Sequence, residues 1–337
     1  MALRDDDAWS NASDHEESAT SVDSSDDEGS IISETEFDPE DTVKLEMPDS
    51  MDDKISHEPL KSLTEQVYVA GRAPRYGKLN PEIMDVPFWS AMITAQKDPY
   101  GAYCILKDSD SFPSRNDVTD FLKSDAPDLA EDEENGREQQ QVAHHQAFDR
   151  LPTWTFANRM GQTMTKLPDG RFVFIAGEHE DFYDPDFHIY NDVCVYDQSS
   201  TASDLGSAFV IYGYPREVFP PTDFHTATLV TGTPDIYIIG AMGYGDQRRP
   251  GETPVYRLDT RDFSMHAIET SGEKPGWINH HSANVVEDGT AIRVVGKQRR
   301  YFGSKVCVED EKGQEDIVDF VGEYLLHLET GRWTKVS

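Results

Sequence analysis

One short stretch of the sequence concentrates side chains that bind metal ions. Residues 177–192, GEHEDFYDPDFHIYND, contain four aspartates, two glutamates and two histidines. Within this stretch Glu180, Asp184 and His188 follow one another at intervals of four residues. Two carboxylates and an imidazole on one side of an octahedron suit Fe(II) and leave positions open for a reactant. The spacing therefore raises the hypothesis of a non-haem iron site at these three residues.

Two other interpretations of the acidic stretch stay open. A calcium site would use carboxylate oxygens alone, although the spacing and the glycine of an EF-hand are absent. Its candidate ligands are Asp181, Asp184, Asp186 and Asp192. Alternatively, Asp184 and Pro185 form a turn, and the carboxylates accept hydrogen bonds from loop amides. In that case the stretch is an acidic loop without a metal.

The sequence contains no other motif of a familiar enzyme class. It has no Gly-x-Ser-x-Gly, no phosphate-binding P-loop and no Gly-x-Gly-x-x-Gly. The histidines at 225 and 281 open sequence repeats, and we expect them to have a structural role inside the fold. We therefore expect a binding protein without a cofactor, and keep the Fe(II) enzyme as the alternative.

Cysteine usage and hydropathy favour a reducing compartment. Cys104, Cys194 and Cys307 are far apart and match neither a zinc-site spacing nor a disulfide framework. The N-terminus lacks the apolar core of a signal peptide, and the chain contains no apolar run long enough to span a membrane. These features predict a cytoplasmic or nuclear protein that does not enter a membrane.

The charge of the chain is strongly negative and unevenly distributed. The formal net charge is −34, and residues 1–60 hold 20 acidic side chains against 3 basic ones. A surface of this sign repels phosphate, so we expect neither nucleic acid nor an anionic membrane as a partner. It attracts basic proteins. The acidic N-terminus is either a solubilising tail or a site that holds such proteins.

Composition divides the chain into four parts. Residues 1–59 are rich in Asp, Glu and Ser and are predicted to be a disordered acidic tail. Residues 60–123 are predicted to be a small ordered α/β segment, with a helix within 80–96 and a strand at 102–108. A second acidic tract, 124–148, is predicted to be a linker. Residues 149–337 are rich in short strand patterns.

Three repeats are recognisable in the last part. They begin with QTMTKLPDGRFVFIAG (162–177), HTATLVTGTPDIYIIG (225–240) and HSANVVEDGTAIRVVG (281–296). A polar residue opens each segment, two strand patterns surround a turn, and a glycine ends it. Each is followed by a loop and two further strand patterns. These patterns are YNDVCVYD and AFVIYGYP in the first repeat, TPVYRLDT and FSMHAIET in the second, and EYLLHLET and GRWTKVS in the third. Four strands per repeat are typical of a propeller blade.

This pattern resembles the kelch-repeat family, which includes galactose-oxidase-like propellers. The resemblance rests on HTAT and HSAN, IYIIG, VYRLDT and GRWTKV, although the usual Gly-Gly pair is broken in each repeat. It implies an all-β fold, a kelch-type β-propeller with about three recognisable four-stranded blades. The propeller is either incomplete, with open edges that permit self-association, or gains a cryptic N-terminal blade near residues 66–77.

The resemblance also carries two functional implications. Kelch propellers commonly bind other proteins, which favours a scaffold or adaptor. The spacing of Glu180, Asp184 and His188 is similar to the iron-binding motif of plant specifier proteins, which are kelch propellers. That local likeness implies an Fe(II) enzyme as the alternative function.

The repeat alignment also predicts which residues meet a partner. The loops after the second strands of repeats two and three both contain Gln-Arg-Arg, and repeat one has the acidic stretch there. We expect Arg248, Arg249, Arg299 and Arg300 to bind a partner's carboxylates or phosphates, unless they only neutralise the acidic loop. Trp277 and Tyr214, in the connectors between repeats, are predicted to anchor a partner on the opposite face.

Overall fold

A computed structural model of the chain describes residues 47–107, 152–179, 187–286, 288–298, 303–310 and 312–337. The first 46 residues of the predicted tail and the whole predicted linker lie outside the described residues. The described residues belong to one of two units of the chain, Leu45–Ser337.

The N-terminal described segment is mainly helical. A 3-10 helix, Asp49–Lys54, precedes the α-helices. These are α1 (Glu58–Lys61), α2 (Glu65–Gly71), α3 (Pro87–Ala95) and α4 (Pro99–Lys107), with a short strand β1 (Glu82–Ile83) between α2 and α3. Prolines in the first turn suit a helix start because the missing N–H has no intrahelical partner there. Thr64 caps α2 by accepting the Val67 N–H at 3.4 Å.

Three expectations for this segment are corrected by the structure. The predicted disordered tail ends earlier than residue 59, because Met51 is buried and anchors the 3-10 helix in the core. The predicted strand at 102–108 is part of helix α4. The first half of the blade-like stretch of the alternative cryptic blade, residues 66–71, lies in helix α2. Only two residues of this segment, in β1, are in a strand.

The strands of the three repeats lie where the sequence pattern predicts them. The first repeat contains β2 (Thr163–Lys166), β3 (Arg171–Ile175), the short strands β4 (Glu178–His179) and β5 (His188–Ile189), β6 (Val193–Asp197) and β7 (Phe209–Gly213). The second contains β8 (Thr226–Leu229), β9 (Asp235–Ile239), β10 (Val255–Asp259) and β11 (Met265–Ala267). The remaining strands are β12 (Ser271–Gly272), β13 (Trp277–Asn279), β14 (Ser282–Val285), β15 (Ala291–Gly296), β16 (Lys305–Glu309), β17 (Glu315–Asp319), β18 (Gly322–His327) and β19 (Arg332–Lys335).

Each repeat forms one antiparallel meander of four strands. The first sheet has the order β1-β7-β6-β3-β2, the second β11-β10-β9-β8, and the third β12-β19-β18-β15-β14. Strand β12 leaves the second repeat and pairs with β19 in parallel, so it ties the third sheet to its predecessor. A smaller sheet, β13-β16-β17, stands beside the third. The described part of the chain is thus mostly β, with several antiparallel sheets, and these sheets do not close into a ring.

The sheets stack face to face, because each of the first two sheets is apolar on both sides. In β3, Phe172 and Phe174 pack against the N-terminal helices, whereas Val173 and Ile175 pack against the second sheet. The other side of the second sheet packs against the third around the buried Trp333. A four-stranded sheet cannot hide two apolar faces alone, so its neighbours must cover them.

Matching residues link consecutive repeats just before their first strands, β2, β8 and β14, which we call the innermost strands. Gly161, Phe224 and His280 each precede a repeat opener and have left-handed backbones, with φ of 62°, 46° and 53°. The Phe224 N–H donates to the Gly161 carbonyl, and the His280 N–H donates to the Phe224 carbonyl, both at 3.0 Å. A glycine is required at 161, because an added Cβ would lie 2.4 Å from the Phe224 nitrogen. The carbonyl of His280 instead accepts from Ser304 Oγ at 2.9 Å.

The opener histidines form a second link of this kind. His225 Nε2 is hydrogen-bonded to Thr163 Oγ1 at 2.8 Å, and His281 Nε2 to Thr226 Oγ1 at 3.1 Å. Burial lowers the pKa of both rings to about 3, so they are neutral at pH 7. Each links its repeat to the preceding one, which agrees with the structural role expected from the sequence.

The third sheet differs because its outer face is polar. Arg293 pairs with Glu323 through two hydrogen bonds of 2.8 and 2.7 Å, and His327 Nε2 is 3.0 Å from Thr334 Oγ1. Ser282, at the position of Thr163 and Thr226, is exposed. A polar outer face is what a terminal repeat needs in order to end a stack. Self-association through open edges stays a prediction.

A buried ion pair joins the segment before β2 to the residue that precedes β6. The Arg159 guanidinium contacts both Asp192 oxygens, at 2.5 and 2.9 Å, and its side chain is 0% exposed. Its remaining donors bind the carbonyls of Thr155 and Ala176 at 2.6 and 3.1 Å. The Trp154 indole N–H also donates to Asp192, at 2.9 Å. Both charges are therefore compensated and hydrogen-bonded.

We predict that Asp192→Asn destabilises the fold by about 3–5 kcal/mol, because it leaves a buried guanidinium without its counter-charge. Replacing both partners, as in Arg159→Met with Asp192→Leu, should destabilise less than Asp192→Asn alone. Urea unfolding at pH 7 measures these differences. The exposed pair Asp169–Arg171 is the control, and Asp169→Asn should cost less than about 1 kcal/mol. Equal losses at the two sites would contradict the prediction.

Candidate functional site

The meander places the repeat loops and the connectors on one face of the stack. Each four-stranded repeat reverses direction three times, so its second and fourth strands end on the same side. We call this side the upper face. It carries the connectors 214–225 and 268–281, the loop 240–254, and the described residues of the other two loops, which are 176–179 and 187–192 in the first repeat and 297–298, 303–310 and 312–321 in the third. The sequence-based expectation that the connectors lie opposite the loops was wrong, because it did not follow strand direction.

An open groove of about 870 Å³ lies on the upper face, along the end of the second sheet. Its apolar lining includes Pro220, Pro221, Val255 and Ile268, and Trp277 stands at one side. Its charged lining has both signs. The residues are Arg216, Arg249 and Lys274, and Glu217, Asp246, Glu252 and Glu269. Successive repeats thus build one concave surface from a loop and two connectors.

The charged side chains of the groove differ in how they are engaged. Lys274 forms an ion pair with Glu252, and Arg216 lies 3.9 Å from Asp246. Arg249 is exposed, and its guanidinium donates to the backbone carbonyls of Asp246 and Arg248 at 2.9 and 2.7 Å. Within the described part of the chain Arg249 makes no ion pair. It is therefore the cation of the groove best placed to bind an incoming carboxylate.

Arg248 has a different role from its neighbour. Its Nε donates to the Met242 carbonyl at 2.8 Å, and its Nη2 donates to the Gly243 carbonyl at 3.1 Å. Its Nη1 forms an ion pair with Glu315 in β17. Arg248 thus holds its own loop in shape and neutralises an acid of the third repeat. The alternative interpretation, in which the arginines neutralise the acidic stretch of the first repeat, stays open because most acids of that stretch lie outside the described residues.

The two predicted aromatic anchors differ in their exposure to solvent and in their surroundings. Trp277 lies in the groove wall, 8% exposed, and its indole N–H donates to the Met242 carbonyl at 3.2 Å. Tyr214 is 0% exposed, and its hydroxyl donates to the Phe263 carbonyl at 2.8 Å between the first two sheets. The expected partner contact at Tyr214 is therefore corrected to a core contact. Arg299 and Arg300 lie outside the described residues.

The loop of the third repeat contains a hairpin that the repeat pattern did not predict. Strands β16 and β17 pair antiparallel, and β13 of the connector pairs with β16. The signal was present in KVCVED and QEDIVD, two strand patterns around a lysine and a glycine. The hairpin was missed because the repeat pattern places only a loop between the second and third strands of each repeat.

The proposed metal ligands are only partly described. Glu180 and Asp184 lie outside the described residues. His188 is half-buried in β5, where its ring lies 5.1 Å from that of Tyr190. Desolvation lowers the pKa of His188 to about 4, so the ring is neutral at pH 7. Among the residues that the structure describes, no group of three His, Cys, Asp or Glu side chains is arranged to hold a metal ion.

Asp192 is no longer a free candidate for calcium. Its two oxygens bind Arg159, and one of them also accepts from Trp154. A carboxylate neutralised by a buried guanidinium has little charge left for a cation. The calcium interpretation therefore loses Asp192, whereas its other three candidate ligands lie outside the described residues.

A buried carboxyl group lies below the upper face, beside a second one. Asp223 is 0% exposed, and its Oδ1 accepts the Gly243 N–H at 2.6 Å. Its Oδ2 is buried without a hydrogen-bond partner among the described residues. Glu178, which is buried at the start of the first-repeat loop, lies beside it. Burial raises the pKa of Asp223.

No protein-family model matches the chain, and no curated protein matches it. Among solved structures, one titled "Structure of YjhT" aligns with 55% of this chain and 72% of its own, at 10% identity and a TM-score of 0.31. In the described part of the chain, every helix is too short or too polar to cross a membrane.

Above about pH 4 the free energy of unfolding of the wild-type protein should fall as pH rises. We predict that Asp223→Asn makes this fall smaller. The raised pKa means that the folded protein keeps a proton which the unfolded chain releases above about pH 4, so stability falls as pH rises through this window. An asparagine at 223 still accepts from Gly243 but does not titrate.

Thermal unfolding at pH 5 and pH 8 measures the effect. The unfolding temperature of Asp223→Asn minus that of the wild type should be higher at pH 8 than at pH 5. Asp288→Asn is the control, because the Thr290 hydrogen bonds lower the pKa of Asp288 and its titration is complete below pH 5. A parallel pH dependence of wild type and Asp223→Asn would argue against a raised pKa of Asp223.

Proposed function

We propose that the chain is a protein-binding module, a scaffold or adaptor, whose upper-face groove receives a segment of a partner protein. The observation that carries this proposal is the groove itself. The groove is open to solvent, and its volume of about 870 Å³ suits an extended peptide. Apolar and charged side chains of both signs line it, as in many protein-binding surfaces.

We propose further that the three stacked sheets are blades of a divergent kelch-type propeller. The support is the four-stranded meander in each repeat and the links that recur between innermost strands. In this arrangement the loops and connectors of consecutive blades build one binding face. The N-terminal helices take the place of a further blade at one end of the stack.

Within the groove we assign distinct roles to two residues. Trp277 has its indole N–H fixed by Met242, so it offers a rigid aromatic edge to a partner. Arg249 offers donors to a carboxylate of the partner. Because the chain as a whole carries a charge of −34, we expect the partner to be basic outside that contact.

The groove is tested by affinity capture with matched variants of the full chain. We expect Arg249→Glu combined with Lys274→Glu to reduce the amount of the specific partner recovered at least tenfold, because both cations line the groove. Arg332→Glu, on the outer face of the third sheet, is the control. The recovered partner is then purified, and its direct affinity is measured against the three proteins. Equal affinity for all of them would exclude the groove.

A second candidate is the Fe(II) enzyme implied by the likeness to specifier proteins. One observation favours it. His188 closes the acidic stretch, is half-buried, and is neutral at pH 7, which is the form of imidazole that binds metals. Glu180 and Asp184 would supply the carboxylate ligands.

Metal analysis separates this candidate from the scaffold. If it is right, the protein loaded with Fe(II) under anaerobic conditions and desalted retains stoichiometric iron, and His188→Ala loses it. His266→Ala, at an exposed histidine of β11, should retain it. Absence of iron from the loaded wild-type protein would eliminate the enzyme.

A further inference from the structure

The hairpin of the third repeat presents an unusual edge strand. All five residues of β17 are exposed, and among the strands that the structure describes only β16 pairs with it. Ile317 and Val318 are 39% and 38% exposed. An exposed edge with β-branched side chains is a template on which another chain can pair.

The hydrogen bonds at both ends of the hairpin fix which backbone groups face outward. The Asp310 N–H donates to the Gln314 carbonyl at 2.8 Å, and the Phe320 N–H donates to the Ser304 carbonyl at 2.9 Å. Since backbone direction alternates along a strand, Asp316 and Val318 point their backbone groups at β16. The odd-numbered residues 315, 317 and 319 point theirs at solvent.

The side chains at these outward positions continue rows that cross the small sheet. Cys307 stands opposite Ile317 in β17 and opposite Trp277 in β13, so the three form one apolar row. On either side of this row, β17 carries an acid, Glu315 or Asp319. A strand added beside β17 would continue the apolar row and place its flanking side chains opposite the two acids.

The edge already has contacts that a partner would have to complement or displace. Glu315 pairs with Arg248, and Asp319 is 2.5 Å from Lys305 Nζ. The Ile317 N–H donates to Asp316 Oδ1 at 2.8 Å. This local contact satisfies the central outward donor when no strand is present. It is broken when a backbone carbonyl takes its place.

We propose that β17 receives an extended segment of a partner protein with the pattern basic-x-apolar-x-basic. The inference rests on the proposed protein-binding role and assigns a second surface with its own sequence preference. Three acids in five residues, Glu315, Asp316 and Asp319, select basic side chains. A second copy of the chain is disfavoured, because antiparallel β17 strands centred on Ile317 would place Glu315 opposite Asp319.

The probe is a fluorescent peptide, acetyl-Ser-Lys-Thr-Val-Thr-Lys-Ser-amide, titrated against the full chain at low salt. We expect saturable binding that a Lys-to-Glu version of the peptide lacks and that weakens with added salt. Ile317→Pro should reduce affinity at least tenfold, because it removes an outward N–H without removing a bond to β16. Ile317→Ala keeps that N–H and should lose less.

Hydrogen exchange provides a measurement that does not depend on any variant. On binding, the Ile317 amide should slow its exchange, while the Val318 amide, already bonded to β16, should change little. Equal affinity of wild type and Ile317→Pro, or no change at Ile317, overturns the inference. The groove variant Arg249→Glu with Lys274→Glu should bind this peptide normally. If the groove variant loses the peptide while Ile317→Pro still binds it, the edge proposal fails and the groove proposal stands.

Discussion

The buried ion pair between Arg159 and Asp192 is the contact on which the arrangement of the first repeat depends. A guanidinium is stable away from water when its charge is neutralised and its donors are hydrogen-bonded. Here Asp192 neutralises it, and the carbonyls of Thr155 and Ala176 each accept a further N–H. The ring of Tyr190 lies 3.7 Å from the guanidinium carbon. The pair therefore fixes the loop that leaves β3 and the strand β6 that follows it.

The same contact reaches the helical segment through two tryptophans. Trp154 donates to Asp192 and stacks on Trp89 of α3 with ring centres 4.7 Å apart. Trp89 in turn donates to the Gly71 carbonyl at the end of α2, at 2.7 Å. One polar contact thus sets how α2 and α3 lie on the first sheet. That placement matters because Phe172 and Phe174 of this sheet need an apolar cover.

Stacking then determines where function can reside. Successive sheets cover one another until the third sheet, whose outer face is polar. The stack therefore leaves its strand ends, rather than its faces, for recognition. Four strands per repeat bring loops and connectors to the upper face, where the groove, the neighbouring carboxyl groups of Glu178 and Asp223 and the hairpin edge β17 all lie. Arg248 connects two of them, since it shapes the groove loop and pairs with Glu315.

The sequence by itself determined the repeats, because strand alternation and the opener residues are local patterns. It located the strands of all three meanders and gave His225 and His281 a structural role. It did not reveal that residues 99–107 are helical, because a short apolar run suits either a strand or a buried helix. Only the tertiary structure gave the described site residues their contacts. Asp192 and Arg248 look like their acidic and basic neighbours in the sequence. Their partners, Arg159 and Glu315, come from distant segments, and such long-range pairing leaves no local signal.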